Sequence, residues 1–174
     1  PETLEKQTSQ KNFQSLLDVL NDLKDVYIIF TMPNADSGSR IIKNMIDEFV
    51  SVHEQRTISF TSMGHLNYLS TLKYVDGVVG NSSSGLVEVP NFKIGTINIG
   101  DRQTGRLKAR SVIDCKPMKK TIRNAVDTLY SNDFHKILPS VFNPYGGGNP
   151  IEKIMEVLRD SKLPEELKKE FYDL

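Results

Sequence analysis

The chain has 174 residues, enough for one well-cored domain and too few for two of ordinary size. Its 22 Lys plus Arg balance 22 Asp plus Glu, and no basic stretch is interleaved with aromatics, which excludes the electrostatic footprint of a nucleic-acid binder. Cys115 is the single cysteine, so neither an internal disulfide nor a multi-cysteine zinc site is available, and its place after the apolar SVID run reads as burial in a reducing compartment.

Apolar runs of strand length alternate along the chain with amphipathic runs of helix length, the signature of an α/β fold in which parallel strands are joined by crossover helices. FQSLLDVLNDL reads as the first helix, with Phe13, Leu16, Leu17, Leu20 and Leu23 at spacings of three and four. VYIIF, 26–30, follows as a strand. The loop TMPNADSGS then offers Ser37 or Ser39 as N-cap of the helix IIKNMIDEFVSV. ISF, 58–60, is a short strand, and HLNYLSTLKY carries helical spacing at Leu66, Leu69 and Leu72. VDGVVG, 75–80, is the next strand, and it leaves through GNSSSG into a short helix. GTINI and SVID supply two more strands before a helix from about Lys119 to Tyr130. FNPYGGGNP reads as a turn, followed by the helix IEKIMEVLRD and the polar helix LPEELKKEFYDL.

No repeat, low-complexity tract or linker divides residues 1–174, which reads as a single domain. The polar opening PETLEKQ carries no capping signal and reads as the continuation of a preceding segment, so a fragment is expected. No apolar run approaches the roughly 20 residues that span a bilayer, and the first residues lack the apolar core of a signal peptide. The expectation is a cytoplasmic protein with no membrane partner. His53, His65 and His135 are not at metal spacing, and each reads as a surface residue; neither a metal nor a cofactor is expected.

In an open parallel sheet, ligands collect at the carboxyl ends of the strands. TMPNADSGS, FTSMG, GNSSSG, IGDRQTGR and NPYGGGN are five polar, glycine-bearing loops expected to converge there. Of Ser82, Ser83 and Ser84, one serves as a helix cap on the plainer reading. On the functional reading their hydroxyls and backbone N–H groups hold a phosphate while Gly85 permits close backbone approach; Asn81, directly before them, is a further substrate-binding candidate. Glu88 stands about one turn further on, where a carboxylate is of the wrong charge for phosphate; it reads either as a solvated helix carboxylate or as well placed to accept hydrogen bonds from two ribose hydroxyls. Arg102 and Arg106 flank the next glycine loop; each alone reads most plainly as a surface ion-pairing residue, and together they are the catalytic candidates, able to neutralise a diphosphate. Ser62 and Met63 are placed to offer backbone groups to a base edge, and Tyr68 either covers a base or packs beneath its helix. Neither GxGxxG nor GxxxxGK[ST] is present, which argues against an NAD-type fingerprint and a P-loop.

GNSSSGLVEVP, GTINIGDRQTGR and NPYGGGN, in that order after PNADSGS, resemble the C-terminal half of the hydrolysing UDP-N-acetylglucosamine 2-epimerases, over nearly the whole chain. The resemblance implies one Rossmann-like, UDP-binding domain, helices on both faces of a parallel sheet, from a two-domain architecture similar to the GT-B glycosyltransferases. It implies phosphate contacts from Ser82 and Ser83, ribose contacts from Glu88, uracil beside Tyr68, diphosphate or sugar contacts near Arg102 and Arg106, and further substrate contacts from Asn34 and Asp36. The partners implied are UDP and a UDP-N-acetylhexosamine, with a homo-oligomeric full-length parent serving sialic-acid-like or capsule polysaccharide synthesis. The family's chemistry removes the sugar C2 proton, eliminates UDP to a glycal and adds water. Its acid and base carboxylates lie in the other half, so this chain alone is expected to be inactive. The nucleotide-binding half of a glycosyltransferase and a non-catalytic UDP-sugar sensor are the competing readings.

Overall fold

The computed structural model describes residues 6–33 and 38–161. Within them five parallel strands alternate with helices: α1 Lys6–Asp22, β1 Ile28–Thr31, α2 Ser39–Val52, β2 Thr57–Phe60, α3 Gly64–Thr71, β3 Gly77–Gly80, α4 Ser84–Val87, β4 Gly95–Ile99, β5 Val112–Cys115, α5 Lys119–Leu129, α6 Asn132–Ile137 and α7 Pro150–Asp160. The α/β reading therefore holds. The strands pair in two groups, β1 with β2 and β3–β4–β5 with β4 in the middle, where a single sheet is expected from the alternation. β3 is four residues with glycine at both ends, so only Val78 and Val79 present side chains to a neighbour.

β4 lies between two parallel partners, with Ile97 opposite Val79 and Ile113, and its GTIN segment is buried throughout. Strand alternation turns its two faces to different helices. Gly95 meets Leu129 of α5, whereas Thr96 meets Gly85 of α4. Helices thus cover both faces of the central strand. The amphipathic stripe of α5, Ile122, Ala125, Val126 and Leu129, is buried against the strands. One apolar cluster runs from α1 (Leu16, Leu17, Val19, Leu20) through Phe30, Ile46 and Ile97 to Ile122 and Phe134, uniting both groups of strands. Each such side chain is worth roughly 1.5–3 kcal/mol relative to an exposed one.

Polar groups set where the elements end. Arg56, just before β2, donates from Nη1 to the carbonyls of Leu20 (3.2 Å) and Leu23 (2.9 Å), serving the orphan acceptors at the end of α1 and tying it to β2. α1 begins two turns before the apolar spacing does, at Lys6. The cap of α2 is Gly38, and Ser39 is its first helical residue rather than its cap; Ser37 lies outside the described residues. α6 and the 3-10 turn Leu138–Ser140 occupy a stretch in which the sequence signals no element. The closing LPEELKKEFYDL segment lies outside the described residues.

Candidate functional site

The loops that leave β2, β3 and β4 at their carboxyl ends are joined by side-chain hydrogen bonds. After β2, Ser62 Oγ accepts from the Gly64 N–H at 3.2 Å, and Gly64 opens α3 with φ 68°, a left-handed conformation that a side chain would disfavour. One turn into α3, the Tyr68 hydroxyl meets Ser84 Oγ at 2.6 Å, which fixes α3 against the serine loop. Tyr68 is half-buried; burial raises its phenol pKa, the Ser84 bond works against the rise, and the charge of Glu88 adds to it. It is therefore a neutral phenol at physiological pH.

The serines divide their roles. Ser83 precedes α4 but makes no side-chain capping bond, and its side chain is exposed. Ser82 Oγ accepts from the Ser84 N–H at 3.3 Å. The first-turn N–H groups of Gly85 and Leu86 go to the carbonyls of Ser82 and Ser83, so the usual partners of a capping serine are already taken by backbone. The close approach that Gly85 permits is to β4: a Cβ here would lie 2.6 Å from Thr96 Cγ2, and Thr96 Oγ1 donates to the Gly85 carbonyl at 2.8 Å. Glu88 closes the α4 turn through its N–H to the Ser84 carbonyl (2.9 Å). Its half-exposed carboxylate lies 3.8 Å from Nδ1 of His65.

The loop after β4 joins this group through Gln103, whose Nε2 donates to the Asn81 carbonyl at 2.7 Å. Arg102 and Arg106, on either side of Gln103, are exposed. A fourth loop docks from the far end of the chain. Asn143 Nδ2 donates to the Val87 carbonyl (2.8 Å) and to Asn91 Oδ1 (2.9 Å), and Asn143 Oδ1 accepts from the Tyr145 N–H (2.9 Å), so NPYGGG is held beside the end of α4. Asn34 and Asp36 lie outside the described residues, as does the middle of the loop after β1.

The structure thus brings Tyr68, Ser84, Glu88, Asn81 and the Arg102–Arg106 loop into one group, with Ser62 and Met63 at the head of α3. It adds three residues that the sequence does not single out. His65 is exposed as expected but faces Glu88. Gln103 and Asn143 are buried amides in loops, at 3% and 7% exposure. Their signal was faint: an amide amid glycine and charged residues declares its role only once the loop's landing point is known. Among the described residues no group of three or more His, Cys, Asp and Glu could hold a metal ion, and no helix is long and apolar enough to cross a membrane.

Comparison with known proteins extends these observations. The family model described as UDP-N-acetylglucosamine 2-epimerase matches residues 1–159. The chain is 36% identical over 176 residues to the polysialic acid biosynthesis protein P7 of Escherichia coli, matching all of this chain and 44% of that protein. It is 37% identical over 175 residues to the GDP/UDP-N,N'-diacetylbacillosamine 2-epimerase (hydrolyzing) of Campylobacter jejuni, again over its whole length and 45% of the relative's. The chain therefore spans less than half the length of these relatives. Its fold matches the crystal structure of the Methanocaldococcus jannaschii UDP-GlcNAc 2-epimerase in complex with UDP-GlcNAc and UDP, with a TM-score of 0.68 at 16% identity over 87% of this chain and 41% of that one.

Proposed function

The chain belongs to the UDP-N-acetylglucosamine 2-epimerase family, and on that footing we propose that it is the UDP-holding, C-terminal domain of a hydrolysing 2-epimerase acting on a UDP-2-acetamido sugar. The observation that carries the proposal is the joining of three loops at the carboxyl ends of β2, β3 and β4, through Tyr68 with Ser84 and through Gln103 with Asn81, beside the carboxylate of Glu88. Carboxyl-end loops are where parallel sheets bind nucleotides. The relatives' names, which include a hydrolysing 2-epimerase of a diacetylated nucleotide sugar and a polysialic acid biosynthesis protein, support the substrate class.

In this reading Ser82 and Ser83 donate to the diphosphate, and Glu88 accepts from the ribose hydroxyls. Tyr68 lies beside the uracil, whose edge meets backbone groups at Ser62 and Met63. Arg102 and Arg106 face the diphosphate, with Asn34 and Asp36 toward the sugar. A base takes the C2 proton, the C1–O bond breaks with departure of UDP, and the resulting glycal takes up water, OH at C1 and H at C2, to give the free epimerised sugar. Negative charge grows on the β-phosphate as UDP leaves. Donors already aimed at it lower the barrier by about 3 kcal/mol for each well-placed group. The acid and base come from the part of the full-length protein that this chain does not span. The proposal places that protein in the cytoplasm as a homo-oligomer, with neither nucleic acid nor membrane as a partner.

Incubating the full-length protein with UDP-N-acetylglucosamine, or its diacetylated analogue, and no acceptor tests the reading. The expected products are UDP and a free ManNAc-type sugar. Turnover only when an acceptor is added identifies a glycosyltransferase, and tight binding with no product identifies a sensor; either result overturns the proposal.

A further inference from the structure

We propose that Gln103 is a positioning residue for diphosphate recognition, holding the arginine-bearing loop after β4 at a set distance from the serine loop after β3. The inference rests on the UDP reading above. Residues 101–107 are exposed with one exception, Gln103, at 3%. Its Nε2 donates to the carbonyl of Asn81, the residue directly before Ser82, at 2.7 Å. Its own backbone carbonyl accepts the Arg106 N–H at 3.3 Å, and the turn that contains it is closed by Thr104 N–H to the Asp101 carbonyl at 2.8 Å. One side chain therefore joins the backbone that carries both arginines to the backbone that carries the serines.

The other end of the amide shows what the residue is for. Gln103 Oε1 is buried and has no hydrogen-bond partner among the described residues. A buried carbonyl oxygen left unpaired is destabilising. For stability alone, an apolar side chain of similar volume, methionine, would serve better here. What only the amide supplies is the donor to Asn81. That donor gives stability little, because the Asn81 carbonyl belongs to a half-exposed residue that water can serve. It gives the site a defined spacing between its two anion-binding loops, so that the donors are in place before charge develops.

The test uses the full-length protein and two probes, UDP and uridine, titrated by calorimetry, with melting of the ligand-free protein alongside. Uridine contacts the base and ribose side of the site, whereas UDP also needs the two loops in register. Gln103→Met is expected to weaken UDP about tenfold, to leave uridine within about twofold, and to leave the melting temperature unchanged or higher. Gln103→Glu, which sets a carboxylate against the Asn81 carbonyl, should lower the UDP to uridine affinity ratio further. An unchanged ratio in Gln103→Met overturns the proposal. So does a parallel loss of UDP and uridine affinity, or failure of both variants to fold, since each makes Gln103 a general structural post. Wild-type protein that binds neither probe removes the UDP reading itself, and is told apart by needing no variant.

Discussion

The two ends of β3 and β4 are held by different physics. At the amino ends, Gly77 and Gly95 let apolar side chains come onto the backbone: a Cβ would lie 2.9 Å from Leu129 Cδ2 at Gly77, and 2.3 Å from Leu129 Cδ1 and 2.8 Å from Phe134 Cε1 at Gly95. At the carboxyl ends the loops are tied to one another by directed bonds, Gln103 to Asn81 and Tyr68 of α3 to Ser84. Close packing tolerates little change in volume, whereas directed bonds tolerate volume and depend on atom type. Substitutions at the amino ends should therefore move stability and leave the ligand affinity of the folded protein alone. Those at the carboxyl ends should do the reverse.

The largest expected effect tests the first half of that contrast. Gly95→Ala forces a methyl into Leu129 and Phe134, a small-to-large change in a filled core, and should cost about 3 kcal/mol. For a chain of this size that lowers the melting temperature by about 9 °C. Protein that remains folded should keep its ratio of UDP to uridine affinity. A loss below about 0.5 kcal/mol would mean that the amino ends yield easily, and the contrast would fail.

Cys115, the last residue of β5, sharpens the contrast by showing that a polar strand end can still be closed. Burial, aided by the charge of Asp114, pushes its thiol from an ordinary 9.0 up to about 11. The folded thiol stays protonated after the unfolded one has ionised, so stability should fall as pH rises from about 9 to about 11. Near neutral pH, alkylation should run about a hundredfold slower in the folded than in the unfolded chain, two pKa steps apart. Equal rates would mean an open strand end.

How much of this was legible in the sequence follows the same division. GTINI and the Ile122, Val126, Leu129 stripe are visible as strand and helix because burial imposes a period on residue choice. α1 extends further than its leucines indicate because KQTSQKN is polar and compatible with a helix without demanding one. α6 escapes notice because a six-residue helix before Pro139 is too short to show a period; its one local signal is Ser131, whose hydroxyl accepts from the Phe134 N–H at 3.2 Å. At the site, the serines, Glu88 and the arginines stand out by type and spacing. Gln103, Asn143 and the approach of His65 to Glu88 do not, because each depends on two loops distant in sequence meeting in space. The Gly85 to Thr96 contact is hidden for the same reason, and it accounts for that glycine by packing.

Glu88→Gln is the most direct probe of the carboxyl ends. The nearby His65 is mostly exposed, so the pair contributes little to stability, and the ligand-free melting temperature should move by less than the equivalent of about 0.5 kcal/mol. If the carboxylate accepts ribose hydroxyls, charge-assisted bonds worth on the order of 1.5–3 kcal/mol each are weakened. Affinity for UDP and for uridine should then fall together, at least about tenfold, which distinguishes this residue from Gln103. Unaltered UDP affinity would return Glu88 to the status of an ordinary turn-closing residue.

The smallest expected effect is that of Ser82→Ala, and its smallness is itself informative. The hydroxyl it removes accepts the Ser84 N–H at a long 3.3 Å, a bond whose loss should cost only about 0.5 kcal/mol. If the backbone N–H groups of Ser82 and Ser83 face the anion as proposed, they survive the substitution, so UDP affinity should fall only about threefold while uridine affinity is unchanged. Ser84→Ala bears on the same loop by another route, since its hydroxyl is engaged with Tyr68 at 2.6 Å and its loss frees α3. There, UDP and uridine should weaken alike. If Ser82→Ala instead abolished UDP binding, the phosphate would be held chiefly by that one hydroxyl, and the spacing of the two loops, with the role it assigns to Gln103, would be secondary.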